Sequence, residues 1–200
     1  EQRHVKTQTR NRLILVAIAL LFFIPLVAAF LAQPEVIGSD PADTVNRGEL
    51  IQPPVSLPLD DFRFVGERDA TALARRWLLV EPIDGTCDAR CEAIATDLRQ
   101  VHIATGRRQD EAAVLLLFQR TPSKGEIATL EGIYPKFVLA VDGGDTSNAA
   151  LAAANGGTAP APGTTFIRDP EGFLMLHYAP GYDRGDLNTD LTKLLKWSGR

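Results

Sequence analysis

Residues 112–118 (AAVLLLF) form an uninterrupted apolar run of strand length, which fits a strand covered on both faces of a sheet. A second run, residues 77–83 (WLLVEPI), ends in Asp84-Gly85 and reads as a buried strand closed by a turn. Between the two, Cys91, Ile94, Leu98 and Val101 recur at helical spacing, which predicts a helix from near Cys87 to about Gly106. Strand, helix and strand make a βαβ unit, and its parallel pair restricts what the rest of the chain can build.

Residues 124–132 suit a short helix, and residues 137–141 (FVLAV) suit another buried strand. Residues 143–163 contain no aromatic residue, Val or Ile, and read as a flexible surface insertion carrying a short Ala-rich helix. Residues 164–178 read as a hairpin, with Asp169-Pro170-Glu171-Gly172 in the type I turn pattern. Leu187, Leu191, Leu194 and Leu195 give a closing amphipathic helix. The fold class predicted is α/β, a mixed sheet with helices on both faces.

Ahead of this domain, residues 13–32 contain no charge and span about 30 Å as a helix, enough to cross a bilayer. Pro25 lies inside the run, tolerable there as a kink. A cleaved secretory signal is the competing reading, because Val27-Ala28-Ala29 resembles a cleavage site, but the run exceeds the usual signal core. Arg3, Lys6, Arg10 and Arg12 precede the run, while Glu35, Asp40 and Asp43 follow it. That asymmetry puts residues 1–12 in the cytoplasm and the remainder beyond the inner membrane, in a bacterial periplasm or its equivalent. Residues 33–61 hold five prolines and read as a semi-rigid tether, leaving residues 62–200 as one domain. Without residues 1–12 the chain carries 17 basic against 24 acidic side chains, a net charge of −7. Such a surface argues against nucleic acid as partner.

Cys87 and Cys91, the chain's two cysteines, lie where the first strand gives way to the helix. Residues i and i+4 of a helix have Cα atoms about 6 Å apart, within reach of a disulfide. A loop this short removes little chain entropy when closed, so a reactive bond fits better than a stabilising one. The helix N-terminus favours a thiolate at Cys87, whereas Asp84, Asp88 and Glu92 oppose it with only Arg90 nearby. Two buried thiols packed as small apolar groups are the competing reading.

An apolar anchor, a proline-rich tether, Cys87-Asp88-Ala89-Arg90-Cys91 at a helix start and the hairpin sequence F-I-R-D-P-E-G-F-L together resemble the thioredoxin-like Sco family. That resemblance implies a thioredoxin-like domain behind one transmembrane helix. It also implies an assembly role for the dinuclear copper centre of cytochrome c oxidase, with two cysteines and a histidine handling copper. With Asn46-Arg47-Gly48-Glu49-Leu50-Ile51, the chain looks closer still to membrane-anchored thioredoxin-like proteins associated with bacterial cytochrome c oxidase and its assembly. The expected partner is therefore the oxidase or its assembly intermediates. The chemistry expected is thiol-disulfide exchange through Cys87 and Cys91, or Cu(I) held by their thiolates. A non-catalytic accessory subunit and a general periplasmic disulfide reductase are the alternatives.

The family's copper-binding histidine precedes the terminal hairpin, where this chain has Ala159-Pro160-Ala161-Pro162-Gly163-Thr164. His4 falls on the cytoplasmic side. His102, eleven residues after Cys91, lies about 16 Å along the helix. His177 is then the candidate third ligand, with Met175 expected on the same strand face. Pro162, with Pro160 as the alternative, stands where thioredoxin-like folds place a cis-proline beside their cysteines, an ordinary loop proline being the competing reading.

Overall fold

The computed structural model describes residues 12, 15–25, 46–142 and 145–198. The chain divides into two compact units, Glu1–Thr44 and Val45–Arg200. In the first, residues 15–25 form a helix (α1) whose apolar side chains are exposed. The rest of the 13–32 run, residues 1–11 and residues 33–45 lie outside the described residues. Among the described residues no helix is long and apolar enough to cross a membrane.

The second unit is built on a seven-stranded mixed sheet. Its strands are β1 (Glu49–Ser56), β2 (Phe62–Phe64), β3 (Trp77–Ile83), β4 (Ala112–Phe118), β5 (Val138–Asp142), β6 (Thr165–Arg168) and β7 (Phe173–Tyr178). The spatial order is β1-β7-β6-β3-β4-β5-β2. At the centre β3, β4 and β5 run parallel, joined by α2 (Ala89–Ala104) and α3 (Lys124–Ile133). Both connections place their helices on one face, as consistently handed crossovers require. There Leu98, Val101, Leu130 and the buried stripe Leu187, Leu191 and Leu195 of α5 (Arg184–Ser198) cover Leu79, Val114, Leu116 and Leu139. The opposite face is closed by α4 (Asp145–Ala154) and residues 57–73, around Leu78, Val80, Leu115, Leu117 and Phe166. The continuous apolar character of β4, buried at all seven positions, follows from this double covering.

Two expectations need correction. The predicted tether includes β1, which pairs antiparallel with β7, so the domain starts before residue 62. Pro53 and Pro54 disguise this strand. They are tolerated because β1 is an edge strand whose register shifts between Leu50 and Val55, which frees their missing donors from ladder duty. The Ala-rich helix expected within residues 143–163 is present as α4, but it is packed and not part of a loose surface segment, with Ala150, Leu151 and Ala154 buried in the second core. As expected, α2 starts near Cys87, at Ala89, with Asp88 as its N-cap.

The start of β1 is pinned by a buried carboxylate. Asp190 of α5, 1% exposed, accepts from the backbone N–H groups of Arg47 (2.7 Å) and Gly48 (2.9 Å) and from the Tyr178 hydroxyl (2.9 Å). Gly48 permits this approach, since a Cβ there would lie 2.5 Å from the Tyr178 ring. Replacing Asp190 by Ala strands all three donors and should cost about 3 kcal/mol, with Asp190→Asn costing less. Chemical denaturation of the full chain followed by tryptophan fluorescence reads both values.

Candidate active site around the Cys87–Cys91 disulfide

Three residues separate the end of β3 from Cys87, and they are shaped to turn sharply. Gly85 has a φ of 95°, and a Cβ there would meet the Arg120 guanidinium at 2.5 Å. Asp88 then accepts from the N–H groups of Arg90 and Cys91, both at 3.0 Å, which satisfies two donors of the first turn. Cys87 thus sits just outside α2 and Cys91 inside its first turn, their Cα atoms 5.0 Å apart and their sulfurs joined. The separation lies within the range a disulfide bridges.

The two sulfurs differ in access. Cys91 is 8% exposed and packs in the core beneath α2, whereas Cys87 is half-buried. The Cys87 N–H donates to the Glu126 carboxylate of α3 at 2.6 Å. Carboxylates of Asp84, Asp88 and Glu126 therefore surround the pair, with Arg90 as the cation on the cleft wall. The cleft, of about 160 Å³, opens beside the disulfide between Glu81, Pro82, Asp84, Cys91, Ile94 and Pro162. Pro162 thus borders the site, although the one cis peptide bond among the described residues precedes Pro53.

Glu81 is the functional group that the sequence reading missed. Strand alternation puts it on the same face as Leu79 and Ile83, which pack in the α2 core. It is 2% exposed, and burial raises its carboxyl from an ordinary 4.5 to about 8, although the Thr165 hydroxyl, donating to Oε2 at 2.7 Å, pulls the other way. The available signal was a lone charge in WLLVEPI, a strand otherwise apolar and buried on both sides.

His177 is not brought to the sulfurs. Between β6 and β7, Ile167 pairs with Leu176 but Arg168 pairs with Leu174, so Met175 is an extra, bulged residue. The bulge breaks the alternation that put Met175 and His177 on one face. Met175, Leu176 and Tyr178 pack toward the α2 side, while His177 packs beside Phe166 on the opposite side. There its Nε2 lies 3.3 Å from Glu49. His102 is structural, its Nε2 lying 3.1 Å from the carbonyls of Gln109 and Ala112. Among the described residues no group of three His, Cys, Asp or Glu side chains could hold a metal ion. A three-ligand copper site therefore does not fit these residues.

A family model of the transmembrane-like, thioredoxin-like C-terminal domain matches residues 77–198. The chain belongs to that family. Its thioredoxin-like fold is similar to copper-bound ScoI from Arabidopsis thaliana, at 11% identity and a TM-score of 0.51 over 74% of this chain and 99% of that one. It is also similar to apo Sco1 from Thermus thermophilus, at 16% identity and 0.51 over 78% of this chain and 99% of that one. A secreted thiol-disulfide isomerase from Corynebacterium glutamicum gives 14% identity and 0.50 over 68% and 93%. At these identities the likeness is one of fold. No curated protein matches the chain by sequence.

The thioredoxin-like domain carries a pH signature. Between about pH 4.5 and pH 8 folded Glu81 keeps a proton that the unfolded chain has released. Its contribution to stability is thus complete below the lower value and is lost as pH rises through the upper one. Relative to Glu81→Gln, the wild type should lose on the order of a few kcal/mol across that interval. Denaturant titrations of both proteins at a series of pH values measure the difference, which should be flat above about pH 9.

Proposed function

We propose that this chain is a membrane-anchored, periplasm-facing thiol-disulfide exchange protein acting with cytochrome c oxidase or its assembly intermediates in maturation of the copper centre. The observation that carries the chemistry is a closed Cys87–Cys91 disulfide between a half-buried and a buried residue, beside a cleft lined by Cys91 and the buried carboxyl of Glu81. The 13–32 apolar run and its charge asymmetry support the anchor and its orientation. The resemblance of the sequence to oxidase-associated proteins supports the partner.

In the reducing direction, the Cys87 thiolate attacks a substrate disulfide RS–SR, forming a Cys87–SR mixed disulfide and releasing RS⁻, which water protonates. Cys91 then passes its thiol proton to ionised Glu81 and attacks the Cys87 sulfur. That closes the observed disulfide and releases the second RS⁻. The substrate gains two electrons and two protons, and a thiol reductant returns the pair to the dithiol state. The half-buried and buried positions of the two sulfurs match these unequal roles.

Copper enters this proposal only as cargo. Two thiolates of the reduced pair are a ligand set that Cu(I) accepts without a histidine, and the likeness to the copper-bound ScoI fold is the observation favouring that second reading. Anaerobic titration of the reduced full chain in detergent with Cu(I) against a competing chelator separates the two. The exchange reading expects a freely reversible disulfide, and the cargo reading adds one tightly held Cu(I) that is lost in Cys87→Ser.

Cells producing only a Cys87→Ser, Cys91→Ser chain should retain it in the membrane but assemble oxidase lacking the absorption of its dinuclear copper centre. A full copper-centre spectrum together with co-purification of the variant would instead establish an accessory subunit. Turnover of unrelated protein disulfides at comparable rates would establish a general reductase.

A further inference from the structure

The buried carboxyl has a polar connection that leads away from the cleft. Thr165 of β6, fully buried, donates its hydroxyl to Glu81 Oε2 at 2.7 Å and lies 3.0 Å from the hydroxyl of Tyr182. Tyr182 follows β7 and is half-buried, the outermost member of this hydroxyl pair. Its position is held from two sides. Its ring lies 5.3 Å from that of Tyr178, and Arg184, two residues on, bonds Asp97 of α2 at 2.8 Å. We propose that Thr165 and Tyr182 are positioning residues that relay the Glu81 proton between the buried site and solvent during disulfide exchange.

The proposal rests on the exchange reading and adds the route that reading leaves open. Cys91 and Glu81 line the same cleft, so a substrate docked in it covers the direct path from Glu81 to water. The second path stays free. At neutral pH the carboxyl is protonated most of the time, since burial raises it to about 8. Before it can accept the Cys91 proton it must lose its own. Once the Thr165 hydroxyl turns its hydrogen from Glu81 to Tyr182, Glu81 passes a proton to Thr165 Oγ1 as the Thr165 proton moves to the Tyr182 oxygen and the Tyr182 proton moves to water. No charge is left on either hydroxyl. Burial pushes the Tyr182 phenol up to about 12, so it conducts a proton without ionising. The charged groups around this chain are Asp84, Asp88 and Arg90 on the cleft wall, and Asp97, whose charge also acts on Tyr182.

The reduced full chain in detergent is mixed with oxidised glutathione across pH 6 to 9, and the lifetime of the Cys87 mixed disulfide is followed by acid quench and mass spectrometry. Thr165→Val and Tyr182→Phe should lengthen that lifetime about tenfold near pH 6.5, an effect within the range of general acid-base contributions. The slowing should vanish near pH 9, where Glu81 is already ionised. Thr165→Ser, which keeps the hydroxyl, should stay within about twofold of wild type. In a Glu81→Gln background Tyr182→Phe should change nothing, because the coupling runs through the carboxyl. Slowing of equal size at every pH, or equal in both backgrounds, overturns the relay, as do Thr165→Val and Tyr182→Phe variants that match wild type. A wild-type dithiol that does not react with the disulfide at all overturns the exchange reading and the relay with it.

Discussion

The Asp88 carboxylate decides the asymmetry of the sulfur pair. By accepting from both Arg90 and Cys91 N–H groups it fixes the first residue of α2 at Ala89, leaving Cys87 on extended chain and drawing Cys91 into the helix. From that start the buried stripe of Cys91, Ala95, Leu98 and Val101 falls on the sheet. The cap therefore sets which sulfur is reachable and which packs as core. The short Asp84–Thr86 link to β3 places the pair at the strand ends, beside the buried side chain of Glu81.

Two buried acids divide the labour between structure and chemistry. Asp190 Oδ2 receives three hydrogen bonds, and Oδ1 has the Lys193 ammonium at 3.5 Å, which together fasten the first strand to the last helix. Glu81 receives one hydroxyl hydrogen bond in an otherwise apolar strand, and burial dominates its protonation. The fold tolerates the second acid because the proton it retains keeps it neutral across much of the neutral range. A group held near that boundary can give up and regain a proton at little cost, which a fully ionised carboxylate cannot do.

The central strands were legible in the sequence because β3 and β4 are covered on both faces, and continuous apolar runs leave little room for another reading. The hairpin was legible from turn chemistry: Asp169 Oδ1 accepts from the N–H groups of Gly172 and Phe173, as the sequence pattern requires. What was hidden depended on partners distant in sequence. The prolines of β1 suggest a tether until β7 is seen to supply its only sheet neighbour. The Ala-rich stretch of α4 reads as an exposed insertion until the second sheet face is found to need a cover of small side chains. The cysteines announced the site through residue type and spacing, whereas Glu81 looked like an interruption in a strand and acquires meaning only beside Thr165 and Cys91.

The bulge at Met175 acts as a parity switch. Side chains of a strand alternate between faces, so one extra residue exchanges the inward and outward sets for everything that follows. Here it gives Tyr178 to the side that carries the sulfurs and sends His177 to the other. Pairing the same sequence with β6 without the bulge would invert both, turning an imidazole toward the α2 face and removing the tyrosine that anchors Asp190. One strand sequence thus holds two opposite sets of side chains for the face that carries the cysteines, and a single bulge chooses between them.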